Sequence, residues 1–226
     1  MTTDVTRAEV ADAARALGRA GLLIGTAGNV SAPVPGSQLV AITATGVVLA
    51  ECRPEQVSVV DRSGTVVEGE LAPTSELDLH LAVLASTGGA IVHTHAPFAT
   101  AVACVLDSLP VLHYQQLLLG GEIRVAPYAT FGTPELAGHV LEALEGRSAA
   151  LMANHGSVTH GSTLAQAVDH ALLLEWCCQL FHRASALGDP RALGEEQQRE
   201  VIMAALARSY GTTQPAGTGP DQEATS

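Results

Sequence analysis

Apolar and polar positions follow two rhythms along this chain, and the rhythm changes at glycine and proline. The segment "TRAEVADAARALGRAGLL" carries helical periodicity, which predicts an opening helix with Thr6 as its cap and Gly21 as its stop. "GTAGNVSAPVPG" then reads as a glycine-rich loop, "LVAIT" as a short strand, and "QVSVVDRSGTVVEGE" as a hairpin turning near Ser63-Gly64. "TSELDLHLAVLAS" returns to the helical period after a polar start. "AIVHTH" predicts a buried strand, followed by a helix whose first position is Pro97.

The second half repeats the alternation. "IRVAPYA" and "AALMANHG" read as strands, the latter ending at Asn154-His155-Gly156, and "TPELAGHVLEALEG" reads as a helix capped by Thr133. The longest helix is expected over "STLAQAVDHALLLEWCCQLFHRASALG", and a last one over "EEQQREVIMAALARSYG". One domain over 1–210 is the expectation, with a polar, turn-rich tail over 211–226 that is expected to be disordered.

Composition narrows the function classes. The net charge is -12 and no basic run occurs, which argues against a nucleic-acid partner. All 11 basic residues are arginines. Without lysine, a lysine Schiff base on a carbonyl substrate is impossible, and so is a P-loop. Carbon–carbon chemistry at a carbonyl therefore needs another electron sink, such as a metal. Cys52, Cys104, Cys177 and Cys178 form no C-x-x-C pair and read as reduced, buried small hydrophobes. The start "MTTDVTRAEV" has no signal-peptide character and no apolar run is long enough for a membrane span. The expectation is a cytoplasmic protein with no membrane partner.

Two histidines in "IVHTHAPFAT" are the first chemical signal. His93 and His95 stand two apart on the expected strand, so their side chains project from one face about 7 Å apart along the backbone. A pair of hydrogen-bonded core histidines gives the same pattern. His155, at a turn after another buried strand, adds a third imidazole at the edge of the same sheet. Three histidines with an open position form a common catalytic zinc arrangement. Glu76 lies near the start of the helix in "PTSELDLH", where an acidic residue also suits the helix dipole. Thr74 and Ser75 read equally as caps or as hydroxyl donors to a phosphate, and the "GTAGN" and "TATG" loops offer backbone amides from two further directions.

The stretches "GTAGNVS", "ITATG", "PTSELDLHLA", "VHTHAPFATA", "APYATFGTPELAGHV" and "NHGSVTHG" occur in order over about residues 5–210. In them the chain resembles the class II aldolase/adducin-head family, most of all its fuculose-1-phosphate aldolase branch. The resemblance implies an α/β fold, a three-layer α/β/α domain with a central mixed, largely antiparallel sheet. It implies one zinc ion per subunit, held by His93, His95 and His155, with Glu76 as acid/base that also touches the metal when no substrate is bound. Gly28 and Asn29, Thr45 and Gly46, and Thr74 and Ser75 become phosphate-binding pairs, and Tyr114 and Tyr210 the tyrosines near the substrate. A cyclic homotetramer with active sites at subunit interfaces is implied too.

This sequence departs from the family pattern in two places. "TATG" has alanine where relatives often have proline, and "TSE" replaces paired serines while keeping both hydroxyls. The activity implied is zinc-dependent cleavage of a ketose 1-phosphate, L-fuculose 1-phosphate or a related deoxyketose 1-phosphate. The products would be dihydroxyacetone phosphate and a small aldehyde such as lactaldehyde. A pentulose 5-phosphate 4-epimerase, a sugar-phosphate decarboxylase and a non-catalytic adducin-like module are the alternatives. The epimerase branch usually places an aspartate early in the region after Tyr114. None occurs between Tyr114 and Thr133, where Glu122, expected to be solvent-exposed, is the only carboxylate.

Overall fold

Val10, Ala14 and Leu17 recur at spacings of four and three, and their burial lays the first helix, α1 (Thr3–Arg19), against a sheet. The computed structural model describes residues 2–208. After α1 come β1 (Asn29–Pro33), β2 (Val40–Thr43), β3 (Val57–Val60), β4 (Val66–Glu68), α2 (Leu77–Thr87), β5 (Ala90–Thr94) and α3 (Pro97–Ala103). Then follow β6 (Ser108–Leu109), β7 (Ile123–Ala126), α4 (Pro134–Leu144), β8 (Ala149–Met152), β9 (Gly156–Gly161) and α5 (Leu164–Ser185). From Gly194 the chain forms a second unit, whose described part is the helix α6 (Glu195–Ala207).

The strands form one mixed sheet in the order β4-β3-β2-β1-β5-β9-β8-β7-β6. Every neighbouring pair is antiparallel except β7 and β8. Alternating residues supply the two faces. Val30, Ala32, Val92 and Leu151 pack with α1, α3 and α5 on one side, and Ile42, Ile91, Met152 and Val158 pack with α2 and α4 on the other. The result is the expected three-layer α/β/α arrangement. The glycine at position 18 lets α1 lie close against the 3-10 turn Leu49–Glu51: a Cβ there would lie 2.6 Å from Cα of Ala50. Among the described residues, no helix is long and apolar enough to cross a membrane.

Several local expectations change. Thr6 does not cap α1: the helix begins at Thr3, and Thr6 is buried inside it. The loop expected over "GTAGNVSAPVPG" contains β1, whose Asn29 and Ser31 are polar yet buried. Their inward hydrogen bonds replace the solvent that polar strand residues usually face. The segment "GSVTHG", with a glycine at each end, is the strand β9 between β5 and β8. His95 falls just beyond the end of β5. Cys104 is exposed, unlike the buried Cys52, Cys177 and Cys178, and all four are free thiols. Glu122 is exposed as expected and accepts a hydrogen bond from Ser108 Oγ.

Candidate active site

Antiparallel pairing brings the ends of neighbouring strands to one edge of the sheet. Asn29 opens β1 opposite His93 near the end of β5, and His93 in turn pairs with Val158 of β9. The turn before β9 carries His155. It passes through Asn154, whose φ of 56° makes it the one non-glycine residue with positive φ among those described, a conformation asparagine tolerates better than most residues. At Gly156 a Cβ would collide with the carbonyl oxygen of Thr94, so the glycine lets the His155 turn lie against the end of β5. On the other side, Thr74 N–H donates to Thr43 O at 3.1 Å, laying the segment before α2 across the end of β2.

Glu76, the N-cap residue of α2, makes no capping bond with its side chain. The carboxylate turns inward instead. Oε2 lies 3.0 Å from Nε2 of His93, Oε1 lies 3.4 Å from Nε2 of His155, and the Nε2 atoms of His93 and His95 are 3.0 Å apart. One donor atom from each of Glu76, His93, His95 and His155 fits within a 4.8 Å span. The three ring centroids are 4.8–4.9 Å from one another. The two expectations for the histidines thus separate: they form a convergent cluster, not an isolated core pair.

The donor chemistry fits a divalent cation. His93 Nδ1 lies 2.9 Å from the carbonyl oxygen of Ser157, which only accepts, so Nδ1 carries the proton. With that proton in place, Nε2 of His93 faces a carboxylate oxygen and a second imidazole nitrogen. Such convergence of ligand atoms on a carboxylate calls for a positive charge among them, a proton or a metal cation. The backbone carbonyl behind the ring is also the usual orienting partner of a metal-ligating histidine. Glu76 Oε1 is buried without a hydrogen-bond partner, which adds one more unsatisfied donor atom. Three imidazole nitrogens and a carboxylate oxygen suit zinc or another borderline divalent ion.

Electrostatics prepare these groups as ligands. Burial alone would raise the Glu76 pKa, but His93 beside it, hydrogen bonds from His93 and Asn29, and His155 hold the carboxyl well below the usual range. Burial, reinforced by the charge of His93, pushes His95 and His155 each down to about 4. At neutral pH the carboxylate is ionised and these two rings are neutral.

A cavity of about 500 Å³ opens beside the cluster, and all six of the expected phosphate-site residues line it: Gly28, Asn29, Thr45, Gly46, Thr74 and Ser75. Its lining contains no arginine, so an anion there would depend on amides and hydroxyls. Thr74 Oγ1 accepts from Asn29 Nδ2 at 3.0 Å and from Glu76 N–H at 3.3 Å. Its own hydrogen is left to donate. Gly28 has a φ of +95°, and a Cβ there would lie 2.7 Å from Leu23 Cδ2 and 3.0 Å from the carbonyl oxygen of His93. A Gly28→Ala substitution is therefore expected to cost about 1–3 kcal/mol, measured by denaturant unfolding of the metal-free protein.

The tyrosines divide differently. Tyr114 begins a 3-10 segment (Tyr114–Leu119), is 40% exposed, and lies outside the lining of this chain's cavity. It stacks at a tilt on His113, which meets Trp176 edge-on. Tyr210 lies outside the described residues. Two aromatic residues without an assigned role do line the cavity: Tyr128 and Phe131, 65% and 63% exposed. Their signal in the sequence was their rarity, since the whole chain has three tyrosines and three phenylalanines.

Residues 8–182 match the family model described as the class II aldolase and adducin N-terminal domain. The chain is 39% identical over 194 residues to a 5-methylthioribulose-1-phosphate/5-deoxyribulose-1-phosphate aldolase of Rhodospirillum rubrum, covering 84% of this chain and 86% of the relative. It is 37% identical to a 5-deoxy-D-ribulose 1-phosphate aldolase of Bacillus thuringiensis, covering 80% of this chain and 86% of that protein. A solved L-fuculose 1-phosphate aldolase superimposes with a TM-score of 0.84 at 35% identity, over 90% of this chain and 97% of its own. The histidine strand, the glycine-rich loop and the sheet that joins them all lie within the matched span, and the chain belongs to the class II aldolase and adducin N-terminal domain family.

Proposed function

We propose that the protein is a metal-dependent aldolase that reversibly splits a deoxyketose 1-phosphate into dihydroxyacetone phosphate and a small aldehyde. The observation that carries this reading is Glu76. It is a buried carboxylate with one oxygen that accepts no hydrogen bond, set among three imidazoles and beside a cavity lined with amides and hydroxyls. His93, His95 and His155, with Glu76, would hold the metal, which we take to be zinc. When bound it supplies Lewis-acid stabilisation of negative charge at a carbonyl oxygen, the function that lysine performs in Schiff-base aldolases.

The residues of the chain divide the remaining work. Gly28, Thr45, Gly46, Thr74 and Ser75 hold the phosphate through amides and hydroxyls, and Asn29 ties this loop to Glu76. In the direction of synthesis Glu76 removes a proton from the hydroxymethyl carbon of dihydroxyacetone phosphate. That carbon then bonds to the aldehyde carbon, and a tyrosine hydroxyl, of Tyr114 or Tyr210, protonates the aldehyde oxygen. Cleavage is the reverse. The exposure of Tyr114 away from its own cavity supports its delivery to a neighbouring subunit in a homotetramer. The free cysteines support a reducing compartment such as the cytoplasm.

Relatives named for 5-deoxyribulose 1-phosphate and for fuculose phosphate favour a substrate whose end remote from the phosphate is an uncharged methyl or thioether group. A panel of ketose 1-phosphates, assayed for released dihydroxyacetone phosphate, tests this. Cleavage of 5-deoxyribulose 1-phosphate or L-fuculose 1-phosphate is expected, with ribulose 5-phosphate left unchanged. Inversion at C4 of a ketose 5-phosphate with no free aldehyde would overturn the aldolase reading in favour of an epimerase.

A further inference from the structure

His80 lies four residues after Glu76 on α2, wholly buried, and has no role in the chemistry above. Its ring connects two strand residues. Nδ1 is 2.7 Å from Oγ of Ser31, and Nε2 meets Oδ1 of Asn29. Asn29 Nδ2 reaches Oε2 of Glu76 at 2.9 Å and Oγ1 of Thr74 at 3.0 Å. Ser31, His80, Asn29 and Glu76 are all at least nine-tenths buried, so water does not replace any of these bonds.

The direction of every bond is fixed by what the last acceptor is. An ionised Glu76 only accepts, so the Asn29 atom facing it is the amide nitrogen. The Asn29 oxygen therefore faces His80 and can only accept. A neutral His80 then carries its one proton on Nε2, and Nδ1 accepts from the Ser31 hydroxyl. Donation runs in one sense, from Ser31 to His80 to Asn29 to Glu76.

We infer that His80 is a positioning residue for the acid/base Glu76, acting through the Asn29 amide to hold Oε2 in place and leave Oε1 as the oxygen that exchanges the proton. This rests on the aldolase reading of Glu76. The physical reason is the two-fold ambiguity of an amide. Without a donor at Oδ1, rotation of the Asn29 amide can present its oxygen to the carboxylate, and two acceptors in contact push the carboxylate out of position. The hydrogen bond from His80 makes that rotation costly, because it would set Nδ2 against the Nε2–H. The Thr74 bond holds the other Nδ2 hydrogen, so the same amide registers Glu76 against the phosphate loop.

The test measures proton exchange at dihydroxyacetone phosphate at saturation, per zinc-loaded chain. His80→Phe is expected to retain zinc and to lose about 10–100-fold in exchange rate, the range seen when an orienting partner is removed. His80→Gln, which restores a donor and an acceptor, is expected to recover part of the loss. In an Asn29→Ala background His80→Phe should cost nothing further, because the connection is already cut. Wild-type exchange in His80→Phe, or full additivity with Asn29→Ala, would overturn the inference.

Nitrogen-15 spectra of the His80 ring in the metal-free protein give a readout that needs neither activity nor a folded variant. The neutral Nε2–H tautomer is expected, and the Nδ1–H tautomer or an imidazolium would refute the hydrogen-bond chain. Absence of exchange in the wild type would count against the aldolase reading, and the ring tautomer would still confirm or refute the chain.

Discussion

A His155→Ala protein is expected to fold, to bind less than a tenth of the zinc held by the wild type under the same dialysis, and to lose activity by roughly 10³-fold or more. His155 is half-buried in a turn at the sheet edge, so truncation leaves the layers of the core intact. It removes one of three imidazoles that converge on a single point. The wild type should carry about one zinc per chain, lose activity to a chelator and regain it with a divalent metal. The same substitution at His95 should act alike. At His93, which is wholly buried and pairs centrally in the sheet, loss of stability is expected as well. A metal-free preparation with full activity would end the metal-dependent reading.

The same histidines fix a pH dependence in the metal-free protein. His95 and His155 fall from the usual 6.5 to about 4 in the folded state, through burial first and the charge of His93 second. Between about pH 6.5 and 4 the unfolded chain therefore binds more protons than the folded one. Stability is complete above about 6.5 and declines as the pH falls through this window. Urea unfolding across that range should give a shallower slope for His155→Ala than for the wild type.

How much of this was legible in the sequence depended on whether chemistry and periodicity agreed. His93, His95 and His155 stood out because each interrupts or ends an apolar run, and Glu76 because it falls in "PTSELDLH" at the start of a clear helix. The strands β1 and β9 were hidden for a shared physical reason. Their polar residues are buried and satisfied by partners on other elements: Asn29, Ser31 and Ser157 by residues distant in sequence, and Thr159 by the carbonyl of Ala167 in α5. Glycines at their ends, needed for close backbone approach, read locally as loops. His80 was silent because a histidine on an apolar helix face has the pattern of any core residue. Only the fold places its two ring nitrogens against Ser31 and Asn29.

Glu76→Gln isolates the proton transfer from the metal. Glutamine keeps the volume and an oxygen that can accept from Asn29, while the three imidazoles remain, so zinc is expected to stay bound. What disappears is a group able to take up and return a proton. Exchange of the hydroxymethyl proton of dihydroxyacetone phosphate with solvent should fall by about 10²–10⁴-fold, the usual contribution of a positioned acid/base group. Phosphate affinity should change little, because Thr74, Ser75 and the two glycine loops are untouched. That split separates a chemical role from a purely structural one: a structural Glu76 would weaken zinc retention or folding and leave the exchange rate per zinc-loaded chain unchanged. Exchange measured by deuterium wash-in, without any aldehyde present, avoids dependence on the identity of the aldehyde and on the tyrosines. A Glu76→Gln protein that carries zinc and exchanges at the wild-type rate would remove Glu76 from the reaction and leave its buried carboxylate as a metal ligand alone.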